Sequence, residues 1–547
     1  MDNIQIEAKK LSQDFLENSK DYRLGFIEAE QSNPITVRLG ETYCENTFAG
    51  IETLIRVDET LADKFNQVLL SSEFDQFAES VYTSLSKGGR IVLSGCGSSG
   101  RLAMRLDASW RMAAKEHPST QALENQVISL MTGGDYALIR AIESFEDYIQ
   151  LGKMQARELP IRKNDILVGI TATGETTSIL GSASQALEDG SSVWMVICTN
   201  PASILGKLKR ADDVYTHPSC HSLYIPCGGM AMTGSTRMQA STIEQALIGA
   251  ALELALARFQ AREVSKQHLI DGFRSCISVL RQEQTLRAMA AQTELETALY
   301  ARGGHITYFA EEYLLDVLAD TTERGPTFSV PPFRPQAKCQ EPLSWAFVKN
   351  PGCTTTQAWL GCFERELLCI EKTPEQYAAL GIREQDIRRI PQIDRGALLA
   401  FEIGCEPDPE REQGDSLATW IGTGTEVPDA YYQQAGKFRS SSQLTFDDIG
   451  IVKTRLKLFE HLAMKMMINI VSTGTMAKMG RIYGNYMVNL KISNKKLIDR
   501  ASRIVADLCG ISYEEANYAL FCTKLMLERD GVIDSETKRT IQRLGQR

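Results

Sequence analysis

Residues 91–110 read IVLSGCGSSGRLAMRLDASW. Ile91-Val92-Leu93 is a short apolar run, the pattern of a buried strand. Gly95-Cys96-Gly97-Ser98-Ser99-Gly100 is a turn of glycines and hydroxyls, and Arg101-Leu102-Ala103-Met104 opens a helix. Strand, glycine turn and helix in that order form a geometry that holds phosphate. Glycine lets ligand oxygens approach the backbone, the serines donate hydrogen bonds, and the helix N-terminus adds free N–H groups and a positive dipole end.

The pattern continues on both sides. Helical spacing of apolar residues fills positions 46–87, and Lys87-Gly88-Gly89-Arg90 turns into the opening strand. A second strand is expected at Val127–Met131, running into Thr132-Gly133-Gly134-Asp135, with a helix through Ala141–Asp147. A third, Asp165–Ile170, enters another hydroxyl turn, Thr171-Ala172-Thr173-Gly174-Glu175-Thr176-Thr177-Ser178. A fourth is expected at Val193–Cys198 and a short fifth at Leu223–Pro226. Alternating strands and helices joined by short turns predict a parallel sheet covered on both faces. Ligands bind such sheets beyond the carboxyl ends of the strands, where both hydroxyl turns fall.

After Gly234-Ser235-Thr236-Arg237-Met238 comes a long apolar helix, Ile243 to Phe259, and residues 260–300 read as a helical connecting segment. Gly303–Phe309 then repeats the shape of Gly88–Leu93. Ala310-Glu311-Glu312-Tyr313 stands where the first copy has its turn, and two carboxylates there repel phosphate. This is the pattern of a duplication whose second copy has lost its phosphate loop. The proline-rich stretch 321–345 reads as irregular, and later strands are expected at Ala397–Ile403 and Leu417–Ile421. From about 456 the chain is helical, and its last 45 residues read as a cap.

Bulk properties narrow the function classes. A net charge of −10 argues against nucleic acid as a main partner. No run reaches the roughly 18 apolar residues of a spanning helix, and the polar start, MDNIQIEAKKLSQDF, has no signal-peptide core. The thirteen cysteines form no CxxC pair and have no metal-ligand spacing, so neither metal nor cofactor is expected, and the cytoplasm is the expected location. Residues 95–100 also match the dinucleotide fingerprint G-x-G-x-x-G, but the second strand does not end on the acid that would hold a ribose. Without Gly-Lys-Ser/Thr there is no Walker A loop.

Gly95–Leu102 resembles the phosphate loop of sugar isomerase (SIS) domains, in the branch of N-acetylmuramic acid 6-phosphate etherases and glucokinase regulatory proteins. Ser32-Asn33-Pro34-Ile35-Thr36, Thr132–Asp135, Glu143-x-x-Glu146-Asp147, Gly234–Met238, Val471-Ser472-Thr473-Gly474 and Asn494-Lys495-Lys496-Leu497 follow in that family's order. In the one-domain etherases the segments matching Arg237 and Ser472 are nearly contiguous, whereas here they are 235 positions apart. The layout therefore resembles the tandem regulatory proteins. The resemblance implies two doubly wound parallel-sheet α/β domains (flavodoxin-like, three-layer) and a C-terminal helical cap. The expected division is an extension at 1–45, a first SIS domain at 46–265, a degenerate second at 266–470 and a cap at 471–547. Paired in one chain, the two domains form an internal pseudo-dimer, and a monomer suffices.

By the same resemblance, Ser98, Ser99, Thr171, Thr173 and Thr176 would hold a phosphate, with Gly97 and Gly174 permitting close approach. Glu146 would contact sugar hydroxyls or act as a base, Ser235 and Thr236 would line the pocket, and Lys496 would reach in from the cap. Ether cleavage needs a base at C2 and an acid for the leaving oxygen. Etherases read Asp-Ala-Ser-Glu where this chain has Asp107-Ala108-Ser109-Trp110, so Trp110 stands in place of the acid, and Gln239 replaces a lysine at the pocket rim. The expectation is a non-catalytic sensor of a hexose or amino-sugar 6-phosphate, with a sugar kinase as candidate partner. The alternative is an etherase or a related lyase or isomerase that retains Glu146.

Overall fold

The structure, a computed structural model, describes residues 3–335, 341–387 and 393–545. Five short runs form the first sheet: β1 (Ile91–Gly95), β2 (Val127–Met131), β3 (Ile166–Ile170), β4 (Ser192–Ile197) and β5 (Cys220–Tyr224). Their order is β2-β1-β3-β4-β5, all parallel. β1 and β3 are buried at every residue, as continuous apolar runs between two helical layers should be. β2 alternates between buried and half-buried positions, as suits an edge strand. Winding reverses direction between β1 and β3, so their carboxyl ends open the crevice of the sheet. Both hydroxyl turns leave the sheet there.

The second sheet contains β6 (His305–Phe309), β7 (Ala346–Lys349), β8 (Ser416–Thr423) and β9 (Ser440–Phe446), parallel in the order β7-β6-β8-β9. β6 and β8 match the predicted strands. Ala397–Ile403 is not a strand: Asp394 caps a short helix at Arg395–Leu399, its carboxylate accepting the Ala397 N–H at 2.8 Å. β9 is a strand that its sequence does not announce, since Ser440-Ser441-Ser442 reads as a loop. The proline-rich stretch is partly helical, since the Leu314–Phe328 helix carries Pro326 in its last turn; positions 336–340 lie outside the described residues. Ala141–Asp147 is not an α-helix either. A 3-10 turn spans Glu143–Asp147, and the α-helix begins at Ile149.

Residues 260–300 are more than a connector. Their helices, Lys266–Leu280 and Glu283–Ala301, pack into the core, where Phe273 stacks on Phe65 with ring centres 4.9 Å apart. Gln239–Phe259 is long and apolar enough to cross a membrane, but 94% of its most apolar window is buried inside the protein. It packs against a second buried helix, Leu458–Lys478, which also contacts Leu314–Phe328 beside the second sheet. The expected division at 470/471 falls inside this second helix.

The cap consists of Lys495–Cys509, Tyr513–Arg529 and Glu536–Gly545. The amino-terminal helix, Asn3–Asn18, joins it: Ala8 and Phe15 pack on Phe521 and Cys522, and Ser12 donates to Asn517 at 2.6 Å. Ser32-Asn33-Pro34-Ile35-Thr36 ties the cap to the first sheet's loops. Ser32 bridges to Met230, Asn33 Nδ2 donates to the Gly229 carbonyl at 3.0 Å, and Asn485 Nδ2 donates to Ser32 and Thr36 at 2.7 and 3.1 Å.

Candidate functional site

At the carboxyl ends of β1 and β3 lies a cleft with about 990 Å³ of unfilled space, including its solvent mouth. Gly97 forms its floor with φ at +56°, and a β-carbon built on it meets nothing within 4 Å. The glycine therefore both permits the left-handed turn and keeps the space open. Ser98 and Thr236 hydroxyls lie 3.3 Å apart, and Thr171 and Thr176 hydroxyls 2.9 Å apart. Thr173 donates to Glu175 at 3.1 Å. Gly97, Ser98, Ser99, Thr171, Thr173, Thr176, Glu146, Ser235, Thr236 and Lys496 all line this one cleft. Gly174 does not: with φ at +73° it turns toward Ile204 and Tyr215, whose hydroxyl donates to its carbonyl at 2.8 Å.

The cap helix beginning at Lys495 points its first turn into the cleft. Asn494 caps it, accepting the Leu497 N–H at 2.8 Å while donating to Glu146 at 2.6 Å. Lys496 Nζ lies 3.6 Å from Glu175. Burial alone would lower the lysine, but Glu175, Glu146 and Glu30 outweigh it and hold Lys496 above its ordinary value. Burial likewise acts to raise Glu175, and Lys496 and Arg210 together hold it below the carboxylate norm. Behind them Arg500 grips Glu30 through two bonds at 3.0 and 2.6 Å, and Arg503 adds a third at 2.7 Å. Burial opposes ionisation of Glu30, yet Arg500 and Arg503 bring its carboxyl down to about 2. These pairs fasten the cap across the cleft mouth.

Arg101, Glu323, Thr327 and Arg500 also line the cleft. Arg101 pairs with Glu323 and donates to the Ala137 carbonyl at 2.5 Å. Glu323 and Thr327 come from the Leu314–Phe328 helix of the second half, and no motif in that helix marked them.

Two sequence expectations change, for Trp110 and Gln239. Trp110 is fully buried, and its indole N–H donates to the Leu123 carbonyl at 2.9 Å. The Gly97–Lys115 helix is continuous, so position 110 lies roughly 14 Å along its axis beyond Arg101, which lines the cleft, at about 1.5 Å per residue. No side chain there replaces an acid in the cleft. Asp107 is not a substitute acid, because its two oxygens accept from Arg111, Ser129 and Arg365. Gln239 is buried away from the rim, its amide bonded to the Ala231 N–H and to the Gly229 carbonyl at 3.0 Å.

Ser99 needs separate treatment. Its hydroxyl donates to Glu244 Oε2 at 3.2 Å, away from the cleft. Burial pushes the Glu244 carboxyl up to about 8, so at neutral pH it keeps its proton and can donate to Ser99 in return. That reversal frees the Ser99 hydrogen for a ligand oxygen. The stability consequence follows from the sign of the shift. A carboxyl raised on folding binds a proton that the unfolded chain releases above its ordinary value near 4.5. Its stabilisation is complete below that value and is lost as pH rises to about 8, at roughly 1.4 kcal/mol per pH unit. Urea midpoints of Glu244→Gln at pH 5, 6.5 and 8 should therefore fall less steeply than those of the natural protein. Parallel curves would show that Glu244 does not titrate in this range.

A sheet wound 2-1-3-4-5 with hydroxyl turns at its switch point, followed by a second parallel sheet, defines the tandem SIS class. The family description "Glucokinase regulatory protein N-terminal SIS domain" matches residues 73–187, and "C-terminal lid domain of glucokinase regulatory protein" matches 484–542. The N-acetylmuramic acid 6-phosphate etherase of Aeromonas hydrophila is 31% identical over 226 residues, 41% of this chain and 68% of the relative. That of Photobacterium profundum is 30% identical over 266 residues, 47% of this chain and 82% of the relative. Among solved structures, a phosphosugar isomerase from Clostridium difficile 630 aligns with a TM-score of 0.42 at 11% identity, over 80% of this chain and 94% of that one. Tagatose-6-phosphate ketose/aldose isomerase from Escherichia coli aligns at 0.40 and 10%, over the same shares. The chain belongs to the N-acetylmuramic acid 6-phosphate etherase and glucokinase regulatory protein family of SIS-domain proteins.

Proposed function

We propose that the protein is a sensor of a hexose or amino-sugar 6-phosphate, resembling glucokinase regulatory protein. One observation carries this reading: the cleft is walled at once by the first sheet's hydroxyl turns, by Glu323 and Thr327 from the second half, and by Asn494 and Lys496 from the cap. A ligand there touches all three parts. Its binding energy can therefore shift their relative positions and the surface they present. Gly97, Ser98, Ser99, Thr171, Thr173, Thr176, Ser235, Thr236, Glu146 and Lys496 are the ligand-holding residues of this reading. A sugar kinase is its partner, the cytoplasm its location and a monomer its state. The first SIS unit ends near 265, and the cap begins after Lys478 rather than at 471.

A second reading, etherase activity, is favoured by the two carboxylates of the cleft, Glu146 and Glu323. A base and an acid are what the elimination requires. Against it stands the Arg101–Glu323 pair, which engages the second carboxylate.

Two assays separate the readings. Melting curves with fructose 6-phosphate, N-acetylmuramic acid 6-phosphate and NAD should show stabilisation by a sugar phosphate and none by the dinucleotide. Incubation with N-acetylmuramic acid 6-phosphate should release no lactate. Enzyme-like turnover that disappears in Glu146→Gln would replace the sensor by the lyase.

A further inference from the structure

Thr132-Gly133-Gly134-Asp135 and Asp107 belong to motifs that the ligand does not account for: only Thr132 of the five reaches the cleft. Gly134, Asp135 and Asp107 hold an arm from the second half of the chain. The Thr355–Phe363 helix ends with Glu364 at φ +54°, and the backbone then runs without regular structure along the carboxyl end of β2. Arg365, its side chain only 7% exposed, forks onto Asp135 at 2.7 and 3.0 Å. The same guanidinium donates to Asp107 at 3.1 Å and to Ser129 at 3.2 Å. The backbone completes the clasp, with the Asp135 N–H donating to the Leu368 carbonyl at 2.9 Å and the Leu368 N–H to Asp135 Oδ2 at 2.5 Å. A β-carbon on Gly134 would sit 2.8 Å from that Leu368 carbonyl, so the motif's second glycine is what allows the arm to approach.

The arm then continues along the outside of the turn that carries Glu146. Tyr377 packs on Phe145 with ring centres 5.6 Å apart. Tyr148 donates to Asp386 at 2.5 Å, and Arg383 Nε donates to the Tyr148 hydroxyl at 3.1 Å. The inner surface of the same stretch, through Met131, Thr132, Ala137, Ala141, Ile142 and Glu146, is one wall of the cleft. That wall is distinct from the turns at 97–99 and 171–176, which follow β1 and β3 of the first sheet.

We propose that Arg365 is a positioning residue that anchors residues 364–387 as the outer support of this wall, so that the second half of the chain sets the selectivity of the cleft for the sugar rather than for its phosphate. The selectivity rests on the sugar-phosphate reading above; the anchoring does not. Arg365 matches a carboxylate with two parallel bonds and reaches three acceptors, which a lysine cannot do.

The test uses the full chain. Amide hydrogen exchange in Arg365→Met should rise about tenfold across 132–148 and stay unchanged at 97–101 and 171–178. Arg365→Lys should show a smaller rise at the same sites. Arg383→Lys, at a half-exposed position that keeps a cation beside the buried Asp386, should loosen 145–148 alone and keeps the test available if Arg365→Met fails to fold. Exchange that stays unchanged in 132–148, or rises equally in both regions, overturns the anchoring. In titrations, Arg365→Lys should weaken fructose 6-phosphate about tenfold while inorganic phosphate stays within about twofold. Parallel loss of both overturns the selectivity. Absence of any sugar-phosphate binding by the natural protein overturns the ligand reading and leaves the exchange result standing.

Discussion

Lys496→Met weakens fructose 6-phosphate binding by about 100-fold, the largest single loss expected from the cleft. The lysine is the cation that the cap helix's first turn brings to the cleft, with carboxylate neighbours on several sides, and those neighbours keep it charged throughout the neutral range. A phosphate dianion entering beside Ser98 and Thr176 meets a desolvated ammonium, where a charge-assisted hydrogen bond contributes about 2–3 kcal/mol. Methionine keeps the length and the apolar stem but removes the charge. It also leaves Glu175 to be neutralised by Arg210 alone, so an uncompensated negative field faces the incoming phosphate. Two signatures separate this from a general loosening of the cap. The melting temperature without ligand should fall by a few degrees only, because Arg500, Arg503 and Glu30 still fasten the cap. Affinity in the variant should also depend less on salt than in the natural protein, since the screened partner is gone. A melting curve without ligand reads the first, and calorimetric titration at two salt concentrations reads the second. An unchanged dissociation constant would mean that phosphate does not bind beside the cap helix.

The two phosphate-side turns were legible because their signal is local: a buried strand, then glycine and hydroxyls, then a helix start. Ten of the eleven residues named for the site do converge on one cleft, and Gly174 is the exception because a positive φ can serve packing as well as ligand approach. Trp110 shows the limit of reading by letters. Asp107-Ala108-Ser109 matches a motif, but a match does not say how far along a helix the next residue lies. A continuous helix placed it in the core. Glu323 and Arg365 illustrate a second limit. Both act across the two halves of the chain, from segments that carry no glycine or hydroxyl signature, so only their placement against Arg101 and Asp135 gives them a role. The missed strand β9 is of the same kind. Its serines read as a loop because Ser440 and Ser441 are both exposed, yet they pair with the buried β8.

The motifs Gly234–Met238 and Val471–Gly474 accompany each other for a reason that is structural before it is ligand-related. Arg237 is buried between the halves, donating to Asp320 at 2.7 Å, to Ser472 at 3.2 Å and to Thr473 at 2.5 Å. Asp320 is shared with Arg324 at 2.8 Å, with Asn469 at 2.7 Å and with Ser472 at 2.9 Å. Burial pulls Arg237 below its ordinary value and Asp320 offsets only part of this. Arg237→Met removes one member of a buried pair and leaves Asp320, Ser472 and Thr473 short of a donor. Breaking such a pair costs about 3–5 kcal/mol, whereas an intact exposed pair would matter little. We expect a matching drop in the urea midpoint, with Arg237→Lys losing less because the charge stays and only the fork is lost. Exposed pairs provide the contrast: Arg287→Met, which removes a surface partner of Glu283, should leave the midpoint within about 0.5 kcal/mol. If Arg237→Met and Arg287→Met behave alike, the two halves are held together by apolar packing of the Gln239–Phe259 and Leu458–Lys478 helices. Arg237 would then serve only the rim of the cleft, where Thr236 precedes it.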